Sequence, residues 1–160
     1  MRALGRAATE DGACYLTGGA TAVLLGWRHA TIDVDIRLVP ESDALLRAIQ
    51  RLKDELHVNV ELASPADFIP VVPGWEERSP FAAREGRLTY YHFELVAQAL
   101  AKLERGHAQD LGDVEAMLER GLVDPAQALA YFEAIEPELF RFPAIDPRAF
   151  RQRVEETFSR

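Results

Sequence analysis

The sequence has one cysteine, no long apolar run and fewer basic than acidic residues. Cys14 is the only cysteine among 160 residues, so no disulfide can form within the chain. No apolar run approaches the roughly 20 residues of a membrane-spanning helix. The first residues also lack the apolar segment of a secretory signal. These absences predict a cytoplasmic protein without a membrane partner.

The shortage of basic residues bears on the partners of the protein. Eighteen Lys and Arg face 26 Asp and Glu, which gives a formal net charge of −8. Because non-specific nucleic-acid binding depends on Lys and Arg, the chain as a whole has no electrostatic attraction to RNA or DNA, although a local basic patch stays open. Clustered carboxylates instead suit hard cations, which can mediate contact with phosphates.

Two common nucleotide-binding fingerprints are also absent. The sequence contains neither the Gly-x-Gly-x-x-Gly motif of dinucleotide-binding folds nor the Gly-Lys-Ser/Thr ending of a P-loop. Its length, its hydrophobic fraction of 48% and its charged fraction of 28% are those of one globular domain. A phosphate-binding function would therefore need a different motif.

The periodicity of apolar residues predicts an α/β fold. Alternation predicts strands, and spacing of three to four residues predicts helices. In the first part of the chain we predict a short helix over residues 1–13, a strand over 13–17, a helix over 20–25, a strand over 31–38, a helix over 41–55, and strands over 57–62 and 88–91. The rest is predicted to be helical, with helices over 94–105 and 108–120 and two more that begin at about residues 125 and 148. Residues 64–86 are rich in Pro and Gly and predict a long surface loop with one or two helical turns.

This order of elements predicts one compact domain with two parts. Residues 1–92 would form a mixed β-sheet flanked by helices. Residues 93–160 would form a helical part packed on that core.

Asp33 and Asp35 are the clearest candidate site residues. They alternate with Ile32, Val34 and Ile36, which we expect to point into the core, so both carboxylates would leave the same face of a strand. Two like charges this close repel, and a shared Mg²⁺ or Mn²⁺ would relieve the repulsion. The alternative is a solvent-exposed strand face that carries two Asp, although Asp is depleted in strands.

The Gly18-Gly19 pair lies between a predicted strand and a predicted helix. Glycine there permits a tight turn and close approach of a phosphate, and the following helix N-terminus offers free N–H groups. The alternative is a turn that uses glycine only for packing. By itself this pair is weak evidence for a phosphate site.

Residues 16–35 resemble the signature of the nucleotidyltransferase superfamily, in which a hydrophobic residue, Gly, and Gly or Ser precede a short helix and an Asp-hydrophobic-Asp strand. Thirteen residues separate Gly19 from Asp33. The sequence is similar to the AbiEii-like bacterial toxins and related uncharacterised nucleotidyltransferase-like proteins. The resemblance implies a Mg²⁺- or Mn²⁺-dependent enzyme that moves a nucleoside monophosphate from a nucleoside triphosphate to an acceptor hydroxyl on RNA, protein or a small molecule. It also suggests a toxin with a tRNA or protein target and an antitoxin partner.

The resemblance assigns further roles in the first half of the chain. A third carboxylate would come from a neighbouring strand, where Glu61 is the candidate metal ligand and general base and Asp67 a weaker one. Glu61 could equally be a charged residue at a strand end. Thr17 or Thr21 would supply a hydroxyl near the glycine turn, and Arg28 or His29 a basic group.

A second group of charged residues follows the predicted sheet. Relatives carry a similar Lys and Arg-x-x-x-Asp pattern, which implies that Lys102 contacts the triphosphate together with Arg105. Asp110 or Asp113 would then orient a basic residue or the substrate. The alternative is a solvated salt-bridge lattice between two helices.

Other residues with functional chemistry have simpler interpretations. Trp75 and Phe81 would stack on a base or, more commonly, anchor the long loop. Cys14 is expected in the core, and Tyr90 and Tyr91 on opposite faces of a strand. The histidines lack the spacing of zinc ligands. The main alternative function is a nucleotidyltransferase fold that binds nucleotide or a partner without catalysing transfer.

Overall fold

The computed structural model describes residues 1–160 and contains seven α-helices and five strands. None of the helices has both the length and the apolar character needed to cross a lipid bilayer. The elements in chain order are α1 (Arg2–Ala7), β1 (Gly12–Thr17), α2 (Gly18–Leu24), β2 (Asp33–Val39), α3 (Asp43–Leu56), β3 (Asn59–Leu62), β4 (Phe81–Glu85), β5 (Leu88–His92), α4 (Leu95–Arg105), α5 (Ala108–Glu119), α6 (Pro125–Ile135) and α7 (Pro147–Phe158).

The five strands form one mixed sheet in the order β3-β2-β1-β5-β4. The central strand β1 is antiparallel to β2 and parallel to β5. Strands β2 and β3 are parallel, and the edge strand β4 is antiparallel to β5. This mixed sheet with helices confirms the predicted α/β class.

The chain divides into two compact units. The first contains residues 1–64 and 79–93, and the second contains residues 65–78 and 94–160. The boundary between residues 93 and 94 lies one residue from the boundary that the sequence predicts after residue 92. Residues 65–78, which the sequence places in a long loop of the α/β part, belong to the helical unit.

Two local predictions in the first unit are wrong. The stretch predicted as loop up to residue 86 includes strand β4, which is stabilised by pairing with β5 and lacks a strong pattern of its own. Ile32 precedes β2 and is 69% exposed, so it does not point into the core. Both errors concern backbone whose structure depends on a neighbouring strand.

The core of the first unit lies on one face of the sheet. Cys14 and Leu16 of β1 pair in register with Leu38 and Ile36 of β2, and all four are buried. They belong to one apolar cluster with Leu45, Ala48 and Ile49 of α3. Because side chains alternate along a strand, burying this face leaves the odd-numbered residues of β2 on the other face. The core position of Cys14 is confirmed, and burial raises the pKa of its thiol to about 12.

The second unit holds residues 65–78 through a polar network. Glu94 is buried and accepts hydrogen bonds from Arg78 and from the Tyr131 hydroxyl, the latter at 2.8 Å. The Tyr131 oxygen in turn accepts from the backbone N–H of Val72 at 2.9 Å. Trp75 in this segment is buried, so it anchors the segment and is not available for base stacking. These hydrogen bonds explain why residues 65–78, which contain no strand, belong to the same unit as the helices of residues 94–160.

The aromatic residues of the last two strands lie as alternation requires. Tyr90 is buried in the core and Tyr91 is half-buried on the other face, as predicted. Phe81 belongs to β4, is 64% exposed, and contacts Tyr91 edge to face. Tyr91 stacks on Tyr15 of β1 with ring centroids 5.4 Å apart.

Candidate functional site

Strands β2 and β3 bring three carboxylates to one face of the sheet. Asp33 lies opposite Asn59, and Asp35 lies opposite Glu61, in the parallel register of the two strands. Residues two apart on a strand share a face, as do partners on adjacent strands. Asp33, Asp35 and Glu61 therefore leave the sheet together, on the side away from the buried core.

The glycine turn lies directly beside this acidic face. Gly18 has φ +59°, a conformation that other residues rarely adopt. A Cβ atom at Gly18 would lie 3.2 Å from Oδ2 of Asp35, and that carboxylate therefore lies against the turn. Both aspartates and the turn occupy one end of the sheet, since Thr17, just before Gly18, pairs with Asp35.

The second glycine has no room for a side chain. A Cβ at Gly19 would clash with Oγ1 of Thr31 and would lie 3.1 Å from the carbonyl oxygen of Asp33. The Thr31 hydroxyl is itself bonded to the backbone of Asp33, donating to its carbonyl oxygen at 3.0 Å and accepting from its N–H at 3.2 Å. Gly19 thus allows the turn to touch the start of β2, which positions Asp33.

Gly19→Ala is expected to lower the free energy of unfolding by about 1–3 kcal/mol, because Thr31 and the start of β2 must move to admit a methyl group. Urea unfolding followed by circular dichroism measures the change. Gly112 in α5 has nothing within 4 Å of its Cβ position. Gly112→Ala is therefore the control and is expected to raise the free energy of unfolding by about 0.5–1 kcal/mol. Equal effects at the two glycines would contradict the close contact.

Asn59 is a site residue that the sequence interpretation missed. Its side-chain nitrogen Nδ2 donates to Oδ1 of Asp33 at 3.2 Å and to Oε1 of Glu61 at 3.0 Å. The alternation of Asn59 with Glu61 in the predicted strand was a usable signal, because the two residues must share a face. Its partner Asp33 could be found only from the register of β3 against β2.

Arg37 is a second residue that the sequence interpretation did not consider. It follows Asp35 by two positions on β2 and shares its face, and it pairs in register with Tyr15. Arg37 is half-buried. Its guanidinium adds a positive charge to the strand face that carries the two aspartates, and such a charge attracts phosphate oxygens.

Thr21 does not face the carboxylates. It is fully buried, and its hydroxyl donates to the carbonyl oxygen of Leu16 at 3.2 Å. Its Oγ1 also lies 3.1 Å from Nδ1 of the buried His92. With the Thr21 hydroxyl donating to Leu16, this contact is a hydrogen bond in the tautomer of His92 that carries its proton on Nδ1. Thr21 thus fixes α2 to β1 and β5 beneath the glycine turn, and the expected contact of its hydroxyl with nucleotide does not fit this geometry.

Burial lowers the pKa of His92 below its ordinary value of 6.5, which makes folding stability depend on pH. Below pH 6.5 the unfolded chain binds a proton that the folded chain does not, so stability is expected to fall as the pH is lowered. Urea unfolding from about pH 7.5 to about pH 5 measures this slope. His92→Asn, whose amide can replace the Nδ1 donor, is expected to flatten it. The exposed His107 is the control, and His107→Gln should leave the slope unchanged.

Arg28 and His29 lie in the loop between α2 and β2. Arg28 is half-buried, and its backbone N–H donates to the carbonyl oxygen of Ala22 at 3.2 Å, while His29 is exposed. Only Arg28 is therefore tied to the end of α2. A basic role at the turn stays a prediction for Arg28.

The charged group of the second half lies in the second unit and is paired within it. Nζ of Lys102 lies 2.6 Å from Oδ2 of Asp113 and 3.4 Å from Oδ1 of Asp110, and the same Asp110 oxygen is 2.6 Å from Nη2 of Arg105. Lys102, Asp110 and Asp113 are buried. The contacts are those of the salt-bridge alternative, although the lattice is buried and not solvated. A triphosphate contact by Lys102, Arg105 or Asp110 stays a prediction.

The chemistry of the donor set fits a hard divalent cation. The face offers only oxygen ligands from Asp33, Asp35 and Glu61, which Mg²⁺ and Mn²⁺ prefer. The missing Cβ of Gly18 leaves space beside Asp35 for a group that the cation would bind. In the present side-chain arrangement, no three His, Cys, Asp or Glu side chains come close enough to share one ion. Asp67 lies in the second unit and is not in register with the aspartates.

Comparison with known proteins finds no match of any kind. No family model matches the chain, and neither a curated protein nor a solved structure is significantly similar to it. The fold and the site therefore define only a class, an α/β protein with an acidic sheet face beside a glycine turn. Any more particular assignment depends on the chemistry of that face.

Proposed function

We propose that this chain is a metal-dependent nucleotidyltransferase that moves a nucleoside monophosphate from a nucleoside triphosphate to an acceptor hydroxyl. One observation carries the proposal. The Asp35 carboxylate lies 3.2 Å from the Cβ position of Gly18, on the face that also bears Asp33 and Glu61. Carboxylates can bind a divalent cation, and a turn without side chains allows a phosphate to approach that cation closely.

Each part of this face has a role in the proposed reaction. Asp33, Asp35 and Glu61 would hold Mg²⁺ or Mn²⁺, and the ion would neutralise charge on the triphosphate. The turn at Gly18 would admit the phosphates closely because no side chain blocks them. Glu61 would accept the proton of the acceptor hydroxyl, whose oxygen bonds to the α-phosphorus as pyrophosphate leaves.

Positive charge near the triphosphate would come from arginine. Arg37 shares the strand face of the aspartates, and Arg28 follows α2. Arginine binds phosphate oxygens with two parallel hydrogen bonds, so one guanidinium can both orient and neutralise a phosphate. We propose these two residues as the triphosphate contacts of the first unit.

The acceptor is proposed as a hydroxyl of RNA, protein or a small molecule. The resemblance to AbiEii-like toxins favours a tRNA or protein target and an antitoxin that restrains the enzyme. The net charge of −8 argues mildly against avid RNA binding. A protein or a briefly bound RNA end therefore suits the charge better than an extended RNA surface.

A catalytically inactive nucleotide-binding or interaction module is the second candidate. One observation favours it, namely that the Asn59 amide occupies the space between Asp33 and Glu61 and bonds to both. Such a face can be stable without a cation. A protein of this kind would bind nucleotide and transfer nothing.

Two measurements on the wild-type chain test these candidates. Calorimetry would titrate each nucleoside triphosphate in the presence of Mg²⁺ and, as a control, of EDTA. Transfer would be followed with α-³²P-labelled triphosphates, with pyrophosphate release as a second readout, on tRNA, protein and small-molecule acceptors. Mg²⁺-dependent binding with transfer supports the enzyme, and binding without transfer supports the module. Absence of nucleotide binding would contradict both the enzyme and the nucleotide-binding module and would leave only an interaction module.

A further inference from the structure

We infer that Asn59 restrains cation binding by holding Asp33 and Glu61 together in the metal-free protein. The inference rests on the proposed function, since it concerns the same acidic face. It assigns to Asn59 a regulatory and positioning role, acting through the carboxylates and not on the substrate.

The hydrogen bonds of Asn59 define its role. An asparagine amide has two N–H donors on one nitrogen. Nδ2 of Asn59 reaches Oδ1 of Asp33 at 3.2 Å and Oε1 of Glu61 at 3.0 Å. The carboxylates are acceptors only, so they fix the orientation of the amide with its nitrogen towards them and its carbonyl oxygen away.

The hydrogen bonds of Asn59 also reduce the repulsion between Asp33 and Glu61. Nearby carboxylates repel, and N–H dipoles aimed at both of them reduce that repulsion. The register of β3 against β2 places Asn59 opposite Asp33 and leaves Glu61 opposite Asp35, so the amide enters the cluster from the edge strand. Asn59 thus places two N–H dipoles where a shared cation would place its positive charge.

Cation binding must then compete with this amide. An ion that bonds to Oδ1 of Asp33 and Oε1 of Glu61 displaces the two N–H donors from those oxygens. When a binding-competent arrangement is only part of the population, the apparent dissociation constant rises by the inverse of that fraction. Removing the amide should therefore tighten cation binding while it destabilises the metal-free protein.

The test compares wild type with Asn59→Ala by two readouts that do not depend on catalysis. Calorimetry with Mn²⁺ alone is expected to give a dissociation constant about threefold or more lower for Asn59→Ala. Thermal unfolding in EDTA is expected to give a lower Tm for the variant, and saturating Mn²⁺ should narrow the difference. Asn59→Asp, which keeps the shape and replaces the donors with a carboxylate, should show both changes more strongly.

Asn59 also permits a direct observation, because it is the only asparagine in the chain. Labelling with ¹⁵N-asparagine gives a single side-chain NH₂ pair in an NMR spectrum. Titration of the wild type with Mg²⁺ is expected to shift this pair as the amide leaves the carboxylates. An NH₂ pair that does not move while Mg²⁺ binds would overturn the inference.

The outcomes separate this inference from the proposed function. Should the wild type bind Mn²⁺ and Asn59→Ala bind it equally or more weakly, the inference fails and the enzyme proposal stands. Weaker binding would make Asn59 a ligand and not a restraint. Should no form bind Mn²⁺ or metal-nucleotide, both proposals fail together.

Discussion

Asp35→Asn is expected to lower the rate of the proposed nucleotide transfer by about a thousandfold, with the fold intact. The substitution keeps the size of the side chain and removes the charge that lies against Gly18. A factor of this size corresponds to about 4 kcal/mol of lost transition-state stabilisation, which is the order that one metal-binding carboxylate supplies. Because Asp35 faces away from the buried core, circular dichroism and the Tm should stay close to those of wild type.

The experiment needs a control that removes the same charge elsewhere. Asp54 is an exposed carboxylate on α3, so Asp54→Asn changes the net charge equally and should leave the transfer rate unchanged. Single-turnover rates with saturating Mg²⁺ and nucleotide would be compared for the two variants. A wild-type rate in Asp35→Asn would remove the basis of the proposed enzyme, whereas loss in both variants would point to general electrostatics.

Lys102→Met is expected to lower the free energy of unfolding by about 3–5 kcal/mol, enough to unfold much of the protein at physiological temperature. Lys102 is 4% exposed and its ammonium contacts both Asp110 and Asp113. Methionine fills a similar volume but removes the ammonium that contacts both buried carboxylates, while Arg105 still contacts Asp110. An unpaired buried charge costs far more than the ion pair itself contributes.

Two further variants separate the lost ion pair from general effects of the substitution. The other lysine, Lys53, is half-buried on α3, and Lys53→Met should change stability by less than about 0.5 kcal/mol. Adding Asp113→Asn to Lys102→Met removes one of the two buried carboxylate charges that Lys102 contacts and should recover part of the loss. Urea unfolding measures all four proteins. A small loss in Lys102→Met would show that the carboxylates find other partners.

Local patterns were sufficient for most elements of the fold. Strand β2 and helix α3 were predicted from polar and apolar alternation and from helical spacing, with ends within about two residues of those observed. The α/β class followed from the order of the elements. Strand β4 was not predicted, because its pairing with β5 and not its own composition makes it a strand. The assignment of residues 65–78 to the helical unit depends on buried Glu94, which no local pattern reveals.

For the candidate site, too, local patterns predicted one part and tertiary pairing decided the rest. Alternation alone placed Asp33 and Asp35 on one face, and the resemblance of residues 16–35 to the nucleotidyltransferase signature suggested that the turn at Gly18 and Gly19 would meet them. Contact between that turn and Asp35 depends on pairing of β1 with β2, which brings Thr17 opposite Asp35. The inward orientation of Thr21 and the pairing of Lys102 with two aspartates likewise depend on residues distant in the sequence.

By itself the sequence determined which side chains carry charge, which alternate and where the backbone can turn, since these properties depend on residues within a few positions of one another. Only the tertiary structure decided that Asn59 lies between Asp33 and Glu61, that Arg37 shares their face, and that Ile32 lies outside the core. The physical reason is register. Shifting β3 by one residue against β2 would move every side chain of β3 to the other face, and no local pattern fixes that choice.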